Sequence, residues 1–219
     1  MAVLQSMCGW VIQNKLVKAN KVFYLPNVVS KPTYAANGSY KAGRMVMVGN
    51  FMKLKNQFFA VDVLRKLGDE FTLDIYGMVH HLDYFEELKK YIVDAGLTDR
   101  VKLIEGVTDV YKVLGNYECA LHTSTNETGP LVLLEYMHAG LPFLTYSTGD
   151  VAANLISEIP ELVMDSFNVE DCCQRTNTIL TDKEKRCGLQ QQMKAFVETR
   201  YTEEMYLQQL LQVYQSVLI

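Results

Sequence analysis

Ser124-Thr125-Asn126-Glu127-Thr128-Gly129-Pro130-Leu131-Val132-Leu133-Leu134-Glu135-Tyr136-Met137-His138-Ala139-Gly140-Leu141-Pro142 sets two carboxylates, Glu127 and Glu135, around a turn that opens a helix. Gly129 lets the backbone approach a ligand, and Pro130 suits the first helical position, where its missing N–H costs nothing. The Leu131 and Val132 amides then point free donors out of the helix end, and with the helix dipole they favour a phosphate there. Glu127 precedes the helix and reaches beyond its N-terminus. Glu135 lies over a turn inside and faces the flank of a ligand resting on that end. Each carboxylate can accept hydrogen bonds from two neighbouring hydroxyls. A phosphate flanked by vicinal diols describes a nucleotide sugar.

Working outward, an apolar run precedes this helix and another follows it, at Cys119–His122 and Phe143–Tyr146. Further strand-like runs fall at Met45–Val48, Thr72–Tyr76, Val101–Ile104 and Leu162–Met164. Between them, helical spacing is read near Gln57–Leu67, Leu82–Ala95, Asp109–Leu114, Leu131–Ala139 and Val151–Ser157. Alternating short apolar strands and amphipathic helices are the pattern of an α/β fold, a doubly wound parallel Rossmann-like sheet covered on both faces. Ligands in such sheets bind outside the carboxyl ends of the strands, which is where the Glu127 turn falls. After Asp165 the pattern turns helical to the end, with apolar spacing at Met205, Leu207, Leu210, Leu211, Tyr214 and Leu218. At the other end, Val3–Lys18 reads as a helix and Val22–Leu25 as a short strand, closed by Pro26-Asn27 before the Ser/Lys/Gly-rich stretch Ser30–Gly43.

Hydrophobic residues make up 49% and charged residues 21% of the 219, and the net charge is -4, so no overall basic field for nucleic acid is expected. No apolar run approaches the length of about 18 residues that would suggest a membrane span, and the start lacks a signal peptide's basic n-region, which predicts a cytoplasmic chain. The five cysteines, Cys8, Cys119, Cys172, Cys173 and Cys187, show no CxxC spacing and read as reduced packing residues.

The Glu127–Pro142 stretch closely resembles the donor-binding signature of retaining GT-B glycosyltransferases of family 4 (glycosyl transferases group 1), in which Ser-x-x-Glu-Gly-x-Pro leads into Leu-Leu-Glu-Ala-Met-Ala-x-Gly-x-Pro. The resemblance implies that this is the C-terminal, donor-binding half of a GT-B fold with a helical tail. It implies that Glu127 holds hydroxyls of the donor sugar, Glu135 the ribose diol, and Thr128, Gly129, Pro130 and Leu131 the sugar and diphosphate. The family's phosphate loop, Gly-Arg-x-x-x-x-Lys-Gly, is matched by Gly49-Asn50-Phe51-Met52-Lys53-Leu54-Lys55-Asn56. Lys55 falls on the lysine that neutralises the diphosphate and Gly49 on the glycine that lets the loop pass close to it. Asn50 stands in place of the arginine, which removes a fixed cation where leaving-group charge develops; Lys53 is a candidate substitute. By the same resemblance, Gly77 opens onto the cleft, Gly106 lies in the loop that touches the base, and Gly149 belongs to a further phosphate loop in which Asn154 replaces an acid. His80 and His81 read as solvated or capping residues, and His122 and His138 as packing or helix-end residues.

The chemistry implied is retaining transfer of a hexose-type sugar from a nucleotide-diphosphate sugar to a glycan or lipid-linked acceptor, with Lys55 and Glu127 as the catalytic pair. No cofactor or metal is expected. The departing diphosphate can itself deprotonate the acceptor hydroxyl, so phosphate stabilisation is the main task of this half. The GT-B pattern further suggests residues 1–29 as a remnant of the preceding acceptor-side domain, 30–43 as linker, 44–200 as the nucleotide-sugar domain and 201–219 as a return helix. Acceptor binding would then lie in a missing N-terminal domain. The segment 1–26 and the tail helix would expose apolar faces, from which self-association, or peripheral contact at the inner membrane face, is expected. Two other readings stand: a non-catalytic or split-subunit module needing a separate acceptor-binding partner, and an inert nucleotide-binding remnant. A GT-B sugar epimerase fits the Glu-Thr-Gly-Pro element less well.

Overall fold

The computed structural model describes residues 5–30 and 42–217. Strands Arg44–Val48 (β1), Thr72–Tyr76 (β2), Val101–Ile104 (β3), Cys119–His122 (β4), Phe143–Tyr146 (β5) and Val163–Met164 (β6) form one sheet in the order β3-β2-β1-β4-β5-β6, every pairing parallel. The doubly wound sheet expected from the sequence is therefore present. The strand order reverses between β1 and β4, and in open sheets of this kind ligands bind at the carboxyl ends of the strands beside such a switch point.

Parallel neighbours require crossovers, supplied by helices Gln57–Lys66 (α2), Leu82–Asp94 (α3), Tyr111–Leu114 (α4), Leu131–His138 (α5) and Gly149–Ile156 (α6). Helices on both faces leave the central strands dry: Met45, Val46 and Met47 in β1, and Cys119, Ala120 and Leu121 in β4, are all buried. That is why these strands read as continuous apolar runs rather than alternating ones. The helices show the complementary periodicity, α3 burying Phe85, Leu88 and Ile92 along one stripe.

Helices Val169–Thr181 (α7) and Lys183–Arg200 (α8) follow β6. Asn168 caps the first by accepting from the Glu170 and Asp171 amides, and Asp182 caps the second by accepting from Lys185. The tail helix, Glu203–Val217 (α9), leaves Leu207, Leu211 and Tyr214 exposed, the bare apolar face expected of it.

The amino-terminal segment differs from its sequence reading in two ways. The first helix runs Gln5–Gln13 (α1) and does not reach Lys18; Lys15 takes a left-handed φ of 56°, and the Lys15 and Leu16 amides close back on Ile12 and Val11. Residues 3–4 of the expected helix, and 31–41 of the expected linker, lie outside the described residues. Val22–Leu25 is not a strand: only Tyr24 makes a bridge, and the stretch runs extended across the carboxyl edge of the sheet. Its side chains bind there instead of its backbone. The Tyr24 hydroxyl donates to the Asp150 carboxylate, Leu25 is buried, and the Asn27 carboxamide donates to Gly129 O at 2.7 Å.

Candidate donor-binding site

Loops leaving the carboxyl ends of β1, β2, β4 and β5 converge on one place. The β1 loop begins with Gly49, whose amide donates to Tyr76 O at 2.8 Å, and Phe51 N donates to Met78 O at 2.9 Å. The loops after β1 and β2 thus run as one backbone-bonded pair. Gly77 is required by that closeness: a Cβ there would sit 2.3 Å from Gly49 O, so its role is packing of the phosphate loop. Beneath them the fully buried Gln57 side chain donates to Asn50 O at 2.9 Å, and the Tyr84 hydroxyl donates to its carbonyl oxygen at 2.7 Å. Asn50 turns its own Oδ1 toward the Met78 amide, 3.3 Å away.

A single 3-10 turn, Lys53–Lys55, follows and ends at Asn56 in the left-handed region. The Thr123 hydroxyl, just past β4, holds its end by contacts of 2.8 Å to Lys55 O and 3.0 Å to Asn56 O, and Thr125 N donates to Leu54 O at 2.8 Å. These ties bring Lys55 Nζ to 2.5 Å from Glu127 Oε1, with both side chains mostly buried. Lys53 is exposed.

Glu127 is the electrostatic centre. Burial pushes its carboxyl upward, but contacts from His122, Lys55 and Ser124, together with the Lys55 charge, outweigh that and hold it at about 2. His122 was read as a packing residue, and the structure gives it a second partner. The ring is 1% exposed, its Nδ1 lies 2.9 Å from Thr145 Oγ1, and its Nε2 lies 3.3 Å from Glu127 Oε1. Burial lowers the His122 pKa against the opposing pull of Glu127, so the ring is neutral at pH 7. The two ring nitrogens thus face the Thr145 hydroxyl, which also reaches Tyr146 O at 3.1 Å, and the Glu127 carboxylate, which only accepts.

The Glu127 amide donates to Thr148 Oγ1 at 2.9 Å, and the Asp150 amide donates to Thr128 O at 2.9 Å, so the β5 loop clasps the Glu127 turn. Gly149 has a φ of +81°, and a Cβ there would lie 2.9 Å from Pro130 Cδ; no other residue fits that clasp. Asn154 does not face it. Its carboxamide donates to the Tyr201 hydroxyl at 2.8 Å.

Pro130 sits at the cap rather than the expected first helical position, one residue before α5 begins. The consequence for donors is unchanged: the Leu131 and Val132 amides make no hydrogen bond among the described residues, and the first closure is Leu133 N to Pro130 O. Tyr136 anchors α5 against the sheet, its buried hydroxyl accepting from Val48 N at 3.0 Å. Glu135 is half-buried and its side chain makes no hydrogen bond among the described residues; burial, with Asp109 nearby, raises its carboxyl. Gly106 follows β3 at a φ of +76° in open space.

His122, Thr148 and Asn27 are the site residues that sequence reasoning passed over. For His122 the only signal was its place at a strand end, in register with Thr145. The arrangement offers a cation, an ionised acceptor, a half-buried second carboxylate and two free amides at a helix N-terminus.

A family model described as Glycosyl transferases group 1 matches residues 36–196. The Vi polysaccharide biosynthesis protein VipC/TviE of Salmonella typhi is 23% identical over 160 residues, 72% of this chain and 28% of that protein. The GtfA subunit of the UDP-N-acetylglucosamine–peptide N-acetylglucosaminyltransferase of Streptococcus gordonii is 36% identical over 77 residues, 35% of this chain and 14% of that protein. Among solved structures, Anabaena HepE in complex with UDP superimposes with a TM-score of 0.84 at 19% identity, over 98% of this chain and 63% of that one. The chain therefore spans less than two thirds of the length of each.

Proposed function

Since the chain belongs to the glycosyl transferases group 1 family, we propose that it binds a nucleotide-diphosphate sugar at the carboxyl edge of its sheet, as the donor half of a retaining glycosyltransferase. The convergence of Lys55, Glu127 and the unpaired α5 amides on one crevice carries this reading. Lys55 and the α5 N-terminus take the diphosphate, with Gly49 and Asn50 lining the same loop. Glu135 takes the ribose diol, the Gly106 loop the base, and Glu127 the hydroxyls of a hexose-type sugar. The UDP held by HepE favours a uridine base here.

Lys55 and Glu127 neutralise one another, and this shapes the mechanism. Lys55 cannot serve the diphosphate at full strength while it lies on Glu127. Donor binding draws the ammonium toward the phosphates, and the sugar hydroxyls replace it on Glu127, with the neutral His122 ring remaining beside the carboxylate. As the glycosidic bond breaks, negative charge builds on the diphosphate beside Lys55 and the helix dipole, where fixed dipoles stabilise it. The departing phosphate oxygen then takes the acceptor's proton on the same face. The acceptor is a glycan or lipid-linked sugar, held by a second domain; residues 1–29 would close that domain, 30–43 link it, and α9 return to it. A split-subunit reading is favoured by one observation, that a relative sharing 36% identity is itself called a subunit.

Calorimetric titration with UDP, GDP and ADP sugars tests the reading. Saturable binding of one donor, lost in Lys55→Ala, is expected; no binding of any donor overturns it.

A further inference from the structure

Two consecutive carbonyls of the Glu127 turn are held from outside it. Thr128 O accepts from the Asp150 amide at 2.9 Å, and Gly129 O accepts from the Asn27 carboxamide at 2.7 Å. The Asp150 carboxylate is taken in turn by the Tyr24 hydroxyl, which burial and that hydrogen bond keep protonated. Both holds therefore end on residues 24–27, a stretch fastened by the buried side chain of Leu25. The layers touch where only glycine fits: a Cβ on Gly129 would lie 2.6 Å from Asn27 Nδ2, and one on Gly149 would lie 3.2 Å from Thr128 O.

We propose, resting on the donor-site reading for the ligand, that Asn27 and Tyr24 are positioning residues for this turn, which set the direction of the backbone amides that meet the diphosphate. In a trans peptide the carbonyl and the next N–H point opposite ways, so holding Thr128 O on the α6 side turns the Gly129 amide away from α6. That amide makes no hydrogen bond among the described residues, which adds it to those of Leu131 and Val132. Gly129 is the loosest residue of the turn, and Pro130 after it has its φ fixed by the ring, at -68°. The plane of the Gly129–Pro130 peptide then decides how α5 enters, and Asn27 holds that plane by its oxygen. A tie serving stability alone could fasten the stretch anywhere on the sheet edge; these two fall on the turn and on the loop that clasps it. Coupling of this kind is reciprocal: a ligand on the turn steadies residues 24–27, although none of them is assigned to the donor.

The purified 219-residue protein and its variants Tyr24→Phe, Asn27→Ala, Asn27→Asp and Tyr24→Phe/Asn27→Ala are compared by hydrogen exchange with mass spectrometry, by calorimetric titration with UDP-glucose and by thermal unfolding. Without ligand, each variant should exchange about tenfold faster in peptides spanning 125–134 and 147–154, with α2 and α3 unchanged. UDP-glucose should bind each single variant about tenfold more weakly than the unmodified chain. Asn27→Asp should be the weakest of them, because an ionised carboxylate has no proton to donate and repels Gly129 O. The same ligand should slow exchange across 22–29 in the unmodified chain and leave it unchanged in the double variant. A role in stability alone would lower the melting temperature while leaving affinity and the exchange of the turn as they were, and that result overturns the proposal. So does ligand protection of 22–29 that persists in the double variant. If UDP-glucose and other nucleotide sugars bind not even the unmodified chain, the donor reading falls, and the ligand-free exchange still decides the positioning: faster exchange of the turn in the variants upholds it, and unchanged exchange overturns it.

Discussion

Lys55 and Glu127 neutralise one another at 2.5 Å, so on the proposed donor-site reading each arriving donor group exchanges with a protein partner. If Glu127 receives sugar hydroxyls and Glu135 the ribose, Glu127→Ala should weaken binding of a nucleotide sugar by at least about tenfold while sparing the bare nucleotide. Glu135→Ala should weaken both, since a hydrogen bond to a charged acceptor is worth about 1.5–3 kcal/mol. Calorimetry with both ligands on both variants separates the roles, and equal losses throughout would refute them. Asn50→Arg should tighten nucleoside diphosphate binding by about tenfold, because it adds a bidentate cation and loses only a long contact to Met78 N. The pairing also carries a pH signature. Glu127 is held at about 2 against an ordinary 4.5, so its stabilisation is present above 4.5 and is lost as pH falls toward 2. His122 is lowered below its ordinary 6.5; the unfolded chain then takes up a proton that the buried ring refuses, and stability again falls as pH drops through that value. In urea denaturation, Glu127→Gln should lose the first of these slopes. The two glutamates and Lys55 were legible from sequence because their spacing follows a recognisable signature. Thr148 and Asn27 were not, since they meet the Glu127 turn from 21 and 102 residues away, a distance closed only by the folded sheet.

The elements that carry this site are short, and their fit is set by backbone contact. Gly77→Ala would place a methyl 2.3 Å from Gly49 O and push the β1 loop off the β2 loop. Overpacking of that kind costs about 1–3 kcal/mol, so thermal unfolding should drop by roughly 2–10 °C and donor affinity should fall with it; an unchanged melting curve would mean that the loop is looser than its hydrogen bonds indicate. A central strand such as Cys119–His122 could be bounded from sequence alone because a doubly covered strand has no polar alternation to confuse it. Val22-Phe23-Tyr24-Leu25 has the same apolar look and is no strand. Beyond the single bridge at Tyr24, its side chains are what the sheet edge takes up: Tyr24 binds Asp150 and Leu25 is buried. A local pattern cannot distinguish those two uses. The helix at Gln5–Gln13 was overread for a related reason, since the apolar residues beyond it, Leu16 and Val17, are exposed rather than part of a core-facing stripe.

At the scale of the whole molecule, the described residues build one sheet, and every group assigned to the donor lies in the loops at that sheet's carboxyl edge or in the helix that opens there. Binding and transfer are therefore separable. A ligand that engages only the folded state at about a hundred times its dissociation constant stabilises by about 2.7 kcal/mol, which for a chain of this size raises the melting temperature by roughly 5–10 °C. The nucleotide sugar should produce that rise with the 219-residue chain alone, because Lys55, Glu127, Glu135 and the α5 amides are all in place. Transfer makes a further demand, an acceptor hydroxyl held near the anomeric carbon with water excluded, worth many orders of magnitude in effective concentration. No second wall facing the crevice is present among the described residues. Radiolabelled donor incubated with the chain and candidate glycan or lipid-linked acceptors should give no product above background, and product should form once an acceptor-binding domain or subunit is added. Efficient transfer by the chain alone, at a rate the added partner does not change, would sink the donor-half reading and require an acceptor site within these same residues.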